Sequence, residues 1–357
     1  MDVKRMIKLS DVAKAAGVSQ GTASNVFNRP QIVRPEVREK VEAVARELGY
    51  SGPDPKGRLL RAGKVNAIGV ATAEPLSYFF DDPFARVLMS GISEALDVHG
   101  AGISLVSSAN DEKLAWNIQS AIVDGFILLC IEGGNRLVEL TRDRKLPFVA
   151  LELDTDDETI AQIGIDDFDG ARRIAEHVVD LGHREIAVLS LQLVDDRTGR
   201  VTPDQIDTAI YSATRDRLRG YFASLKAAGI DTDAVPVYET ENDRKSVNAA
   251  LEALFDGSAT HPTALIAMSD RAALFAIEWL RGRGVAVPED VSVVGFDGVP
   301  EGAFSDPPLT TVTQPIAAMG RLAVQMILEG PSMARRQMLD VELTIRASTA
   351  PPRVLGA

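Results

Sequence analysis

Gln20, Gly21, Ser24 and Asn25 lie on one side of a short helical pattern, opposite Ala23, Val26 and Phe27, which recur at helical spacing and turn inward. The outward set is short and polar, able both to donate and to accept hydrogen bonds. A Gln or Asn displayed in this way can pair bidentately with adenine N6 and N7 in the major groove of duplex DNA. Gly21 carries no side chain for reading a base, and it leaves room for close backbone approach. Ser19, Thr22 and Asn28 flank the face and are candidates for phosphate contacts, which position a helix without reading sequence.

Two short helices around a tight turn would present this face. Ser10 is expected to cap the first, with Asp11 favourable beside it. Gly17 should stop that helix and Ser19 should cap the second. After the loop RPQIVRP, Pro35 opens a third helix with an apolar stripe of Val37, Val41, Val44, Ala45 and Leu48, ended by Gly49. Three helices of this size bury a small core.

From Lys64 the rhythm changes. Apolar runs such as AIGVA, ISLV, GFILLC and PFVAL alternate with amphipathic segments at 84–99, 113–123 and 135–144. EIAVL, ALIAM and VSVVGF continue the alternation, with helical patterns near 168–181, 214–228, 244–255 and 270–282. Repeated strand–helix units imply parallel sheets covered on both faces, and their number implies two lobes. Ligands in such folds sit at the carboxyl ends of strands.

The 357 residues carry a net charge of −13, which on average argues against nucleic acid. The distribution argues otherwise: residues 1–61 hold 12 basic and 7 acidic residues, the remainder 26 and 44. A basic head on an acidic body suits a DNA reader whose body should not adhere to phosphate. Cys130 is the only cysteine, so no intramolecular disulfide is possible, and its apolar surroundings suit an inert buried thiol. The N-terminus lacks the apolar core of a signal peptide, and runs such as FILLCI are too short to span a bilayer. The expectation is a cytoplasmic protein without a membrane partner.

No enzyme class is indicated. The first strand is not followed by a Gly-rich nucleotide fingerprint, and no GxSxG elbow occurs. His99, His177, His183 and His261 form no metal-spaced cluster, and no cofactor is expected. His183, in a loop before a strand, reads as structural.

Several segments together resemble the LacI/GalR family of bacterial transcription regulators: DVAKAAGVSQGTASNVFN at 11–28, VREKVEAVARELGY at 37–50, DGFILL at 124–129 and LGHREIAVL at 181–189. VPEDVSVVGFDG at 287–298, LTTVTQP at 309–315 and RASTAPP at 346–352 continue the match in the family's order. The resemblance implies a helix-turn-helix DNA-binding domain at 1–50, a hinge segment at 51–61, and an effector-binding and dimerisation core at 62–357. That core would be an α/β, two-lobed, periplasmic-binding-protein-like fold of parallel sheets. Lobe 1 would span about 64–162 and 314–335, and lobe 2 about 163–313 and 338–357.

By the same resemblance, the hinge orders on DNA, Leu60 is an apolar wedge pushed into a base step from the minor groove, and Arg58 and Arg61 lie near phosphates or the groove wall. Two prolines and two glycines in SGPDPKGRLLR are poor helix formers, as expected of a helix absent without DNA. Arg217, Asp297 and Ser269 match family positions that contact a ligand in the cleft, with Asp82, Phe84 and Glu152 as further candidates from the first lobe. Asp270 is expected to cap the helix that follows it. Residues 193–216 are longer than the family norm, either a lid or an extra helix over the cleft. The implied partners are double-stranded operator DNA, a sugar-like effector and a second copy of the chain, with repression the usual outcome. The alternative is a solute or sugar receptor without a DNA target.

Overall fold

The computed structural model describes residues 7–52, 64–107, 110–129, 134–194, 197–256, 261–329 and 336–353. Arg58, Leu60, Arg61 and Cys130 lie outside the described residues. The chain divides between Val65 and Asn66 into two compact units.

The first unit is three helices, α1 (Leu9–Ala16), α2 (Gln20–Asn28) and α3 (Pro35–Leu48). The cap expected at Ser10 is not formed. Helix α1 starts two residues earlier, with Lys8 in the cap position, because the Asp11 carboxylate reaches back to accept the Lys8 N–H at 2.9 Å. Gly17 ends α1 in the left-handed region at φ 64°, where a side chain would be strained. Ser19 Oγ then accepts the Thr22 N–H at 3.0 Å, satisfying one of the free amides of α2. Val12, Ala16, Ala23, Val26, Val41 and Ala45 are buried together, and Phe27 meets Tyr50 edge-on at 5.5 Å. Alanines make up half of that set, so the helices pack closely over little apolar surface.

The second unit holds two sheets. One is wholly parallel, in the order β12 (Arg336–Leu339), β5 (Ala161–Ile165), β4 (Phe148–Leu151), β3 (Gly125–Leu129), β1 (Ala67–Thr72), β2 (Gly102–Ser107). The other runs β13 (Glu342–Thr344), β11 (Thr310–Thr313), β10 (Ser292–Asp297), β9 (Ala264–Ala267), β6 (Ile186–Ser190), β8 (Val237–Glu239), β7 (Gly199–Arg200). Its central strands are parallel and its two edge strands antiparallel. The central strands β3, β6 and β10 are buried along their whole length, as sheets covered on both faces require.

The chain passes between the sheets three times. The first passage, expected near Ile163, comes after Ile165, because β5 pairs with β4 and β12 in the first sheet. The second follows Thr313, where helix Ile316–Glu329 returns to pack on helix Pro83–His99. At Gly91 and Gly320 these helices touch backbone to backbone, leaving no room for a Cβ against the Ala317 and Leu88 carbonyls. The third passage lies between Leu339 and Glu342, since β12 joins the first sheet and β13 the second. Residues 338 and 339, assigned from sequence to lobe 2, therefore sit in lobe 1. Their run RQML is polar and half-exposed, so it carries no buried-strand signature.

His183 is structural in this frame. Its Nδ1 meets Thr263 Oγ1 at 2.9 Å, and its Nε2 meets the Ala350 carbonyl at 2.8 Å.

Candidate DNA-reading face and interlobe cleft

On α2, Gln20 and Gly21 are exposed and Ser24 and Asn25 half-buried, while Ala23 and Val26 are buried on the opposite side. The flanking polar residues are partly committed locally. Ser19 caps the helix and pairs with Thr22 Oγ1 at 2.8 Å. The Asn28 amide donates to the Ser24 carbonyl at 3.0 Å and to Ser24 Oγ at 3.1 Å.

In the core, strand ends of both sheets surround a cleft of about 280 Å³. All six residues singled out from sequence line it: Asp82, Phe84, Glu152, Arg217, Ser269 and Asp297. Asp82 caps helix Pro83–His99, its Oδ1 accepting the Ala85 N–H at 3.2 Å. Glu152 follows β4, and Asp297 ends β10. Ser269 caps helix Asp270–Gly282 by accepting the Ala272 N–H at 3.0 Å. It also donates to Asn242 Oδ1 at 2.5 Å.

The cleft stores backbone strain. Glu152, Asn242 and Asp297 all have positive φ, at 56°, 54° and 139°. They are three of the five non-glycine residues in that region among the described residues, and such strain collects where geometry serves a site.

Ion pairs cross the cleft from lobe to lobe. Asp82 pairs with Arg271 at 3.2 Å, Asp154 with Arg215 at 3.1 Å, and Arg86 with Glu301. These pairs tie the two lobes together across the cleft.

Comparison with known proteins places both parts. Residues 8–52 match the model described as bacterial regulatory proteins, lacI family, and residues 175–349 match the periplasmic binding protein-like domain. The HTH-type transcriptional regulator Rv3575c of Mycobacterium tuberculosis is 35% identical over 355 residues, covering 98% of each chain. The chain belongs to the LacI family of bacterial regulatory proteins. Like its relatives, this LacI-family chain is a ligand-responsive, DNA-binding transcriptional regulator. Among solved structures, the transcriptional regulator CelR–cellobiose complex matches with TM-score 0.67 and 28% identity over 96% of this chain and 99% of that one. The lac repressor dimer bound to operator and the anti-inducer ONPF matches with TM-score 0.75 and 27% identity over 97% and 100%. Among the described residues no helix is long and apolar enough to cross a membrane.

The LacI-family core holds its central arginine more tightly than the sequence suggested. Arg217 is buried; its Nε donates to Asp167 Oδ1 at 2.7 Å and its Nη1 to the Met268 carbonyl at 2.7 Å. The guanidinium stacks 3.8 Å from the Phe296 ring centroid. Much of its donor fork is thus spent inside lobe 2. Asp270 is not the cap expected of it. Ser269 takes that position, and the Asp270 carboxylate instead accepts the Gly298 and Val299 N–H groups, both at 2.8 Å, and Thr311 Oγ1 at 2.5 Å. Burial pushes the Asp270 carboxyl up to about 6.

Residues that sequence reasoning missed complete the cleft: Arg271, Asn242, Gln314, Tyr78 and Tyr211. Gln314 stood in the quoted LTTVTQP run, directly after a strand end, and that position was the available signal. Arg271, in the first turn of helix Asp270–Gly282, carried no such signal. The 193–216 segment contributes the edge strand β7 and a short helix Pro203–Asp207. Buried Glu239 fastens its start, accepting the Leu193 N–H at 2.5 Å and the Arg197 guanidinium. Gln192 and Tyr211, near the two ends of this excursion, both line the cleft.

Burial, with Asp167 nearby, holds the Glu152 carboxyl well above the usual range, and burial with Asp270 does the same for Asp297. A carboxyl that binds its proton more tightly folded than unfolded is tolerated below its unfolded value, near pH 4, and costs stability as pH rises above it. Glu152→Gln is therefore expected to raise the melting temperature at pH 8 by on the order of 2 °C, and by less at pH 5. Thermal unfolding at both pH values checks this, and equal changes at the two would refute the assigned cost.

Proposed function

We propose that this LacI-family regulator represses transcription as a homodimer, placing two copies of α2 in successive major grooves of a near-palindromic operator. Gln20, Gly21, Ser24 and Asn25 face the bases, and Ser19, Thr22 and Asn28 lie against phosphates. Residues 51–61 form the hinge, with Leu60 as the minor-groove wedge and Arg58 and Arg61 beside it. A sugar-like effector binds between the lobes, contacted by Asp82, Phe84, Glu152, Arg217, Ser269 and Asp297.

The observation that carries this reading is the cleft, where strand ends from two sheets meet under ion pairs that join the lobes. A ligand filling it changes the angle between lobes, and the first lobe continues in sequence from the hinge. Ligand and DNA affinities are then coupled reciprocally, typically by 1–3 kcal/mol. The CelR complex holds cellobiose, and the lac repressor structure is a dimer on operator; both support the proposed partners. A cytoplasmic site of action and a role without covalent chemistry follow from the same reading.

Fluorescence anisotropy of the full chain on genomic fragments tests it. Salt-sensitive, sequence-selective binding that shifts about 5- to 150-fold with a cleft ligand is expected. Binding without sequence preference would refute the regulatory reading.

A further inference from the structure

We infer that the cleft selects an uncharged, hydroxyl-rich ligand and rejects anionic derivatives of the same skeleton. This rests on the reading of the cleft as the effector site and narrows it to one chemical class.

The first observation is charge. Setting aside Glu152 and Asp297, whose buried carboxyls hold their protons well above the usual range, the carboxylates of Glu74, Asp81, Asp82 and Glu241 line the cavity against the guanidiniums of Arg217 and Arg271. Neither cation is unspent. Arg217 is paired with Asp167 and the Met268 carbonyl, with Phe296 beneath it. Arg271 is paired with Asp82. A phosphate or carboxylate entering here would face an excess of like charge and would have to pull a guanidinium from its partner.

The second observation is hydrogen-bond polarity. Among the described residues, two buried side-chain atoms of the cleft wall have no hydrogen-bond partner, Glu152 Oε1 and Gln314 Oε1; the amide oxygen can only accept, and the Glu152 oxygen accepts whenever its carboxyl is ionised. The corresponding donors are already engaged. Gln314 Nε2 donates to Asp297 Oδ1 at 2.9 Å, and Ser269 Oγ donates to Asn242. A buried acceptor left unmade is costly, so the missing group is one that donates. Hydroxyls donate; phosphate and carboxylate oxygens at neutral pH do not. Tyr78, Phe84 and Tyr211 supply apolar surface for the C–H faces of such a ligand.

The test is isothermal titration of the full chain, with thermal shift in parallel, against neutral hexoses, pentoses and their disaccharides. Each is paired with its phosphorylated and uronate counterpart. At least one neutral sugar is expected to bind, with each anionic counterpart at least about tenfold weaker. Glu152→Gln should weaken the neutral sugar about tenfold and narrow its preference over the uronate. An anion binding as tightly as its neutral partner, or no neutral member binding, overturns the inference. If the bound anion is also lost on Ser269→Ala, the cleft remains the effector site and only the charge selection falls. A neutral sugar whose affinity is unchanged by both Glu152→Gln and Ser269→Ala overturns the cleft reading itself.

Discussion

Arg217→Ala is expected to destabilise the core by about 3–5 kcal/mol, because it removes one member of a buried ion pair and strands the other. Asp167, held by Arg217 Nε at 2.7 Å, would keep a buried charge without its partner. Its carboxyl is already pushed above the usual range by burial, even with the guanidinium beside it. The Met268 carbonyl would lose a donor, and the face of Phe296 would lose its cation. Denaturant unfolding of the wild type, Arg217→Ala and Arg217→Ala/Asp167→Ala separates these contributions. The double variant should recover part of the loss, since it removes the stranded charge. A single variant within about 1 kcal/mol of wild type would show that the pair is not a pillar of lobe 2.

Asn25→Ala should weaken binding to the preferred operator by about 5- to 150-fold for each half-site contacted, while leaving non-specific binding nearly intact. Alanine is the better helix former, so α2 survives the change, and the loss would report base contact rather than folding. Ser19→Ala is the informative contrast. It removes the cap on the Thr22 amide, worth about 1 kcal/mol, and should lower the stability of the head and binding to all sequences together. Anisotropy titrations on specific and random duplexes at two salt concentrations distinguish the two patterns. Equal loss on both duplexes for Asn25→Ala would remove it from the base-reading set.

Much of the head was legible because its signals are local. Gly17, Ser19 and Gly49 act within one turn of where they stand, at φ 64° and 70° for the two glycines. The misreading at Ser10 shows the limit of such signals: a carboxylate one position further on satisfied the free amide instead, and the helix began earlier. The same competition moved the cap from Asp270 to Ser269, and β11 and the turn after β10 claimed the displaced carboxylate.

The alternation of buried apolar runs with amphipathic helices determined, by itself, that the chain would build parallel sheets in two lobes. Burial on both faces leaves a periodic imprint on every central strand. Polar edge strands leave none, so the assignment of 336–339 to the first sheet awaited its pairing with β5. The cleft is the clearest case of what only the fold decided. Arg217 and Asp167 are 50 positions apart, and Asp82 and Arg271 are 189 apart. Which charges neutralise one another, and which acceptors are left open to a ligand, depends on strand ends that converge only once both sheets have formed.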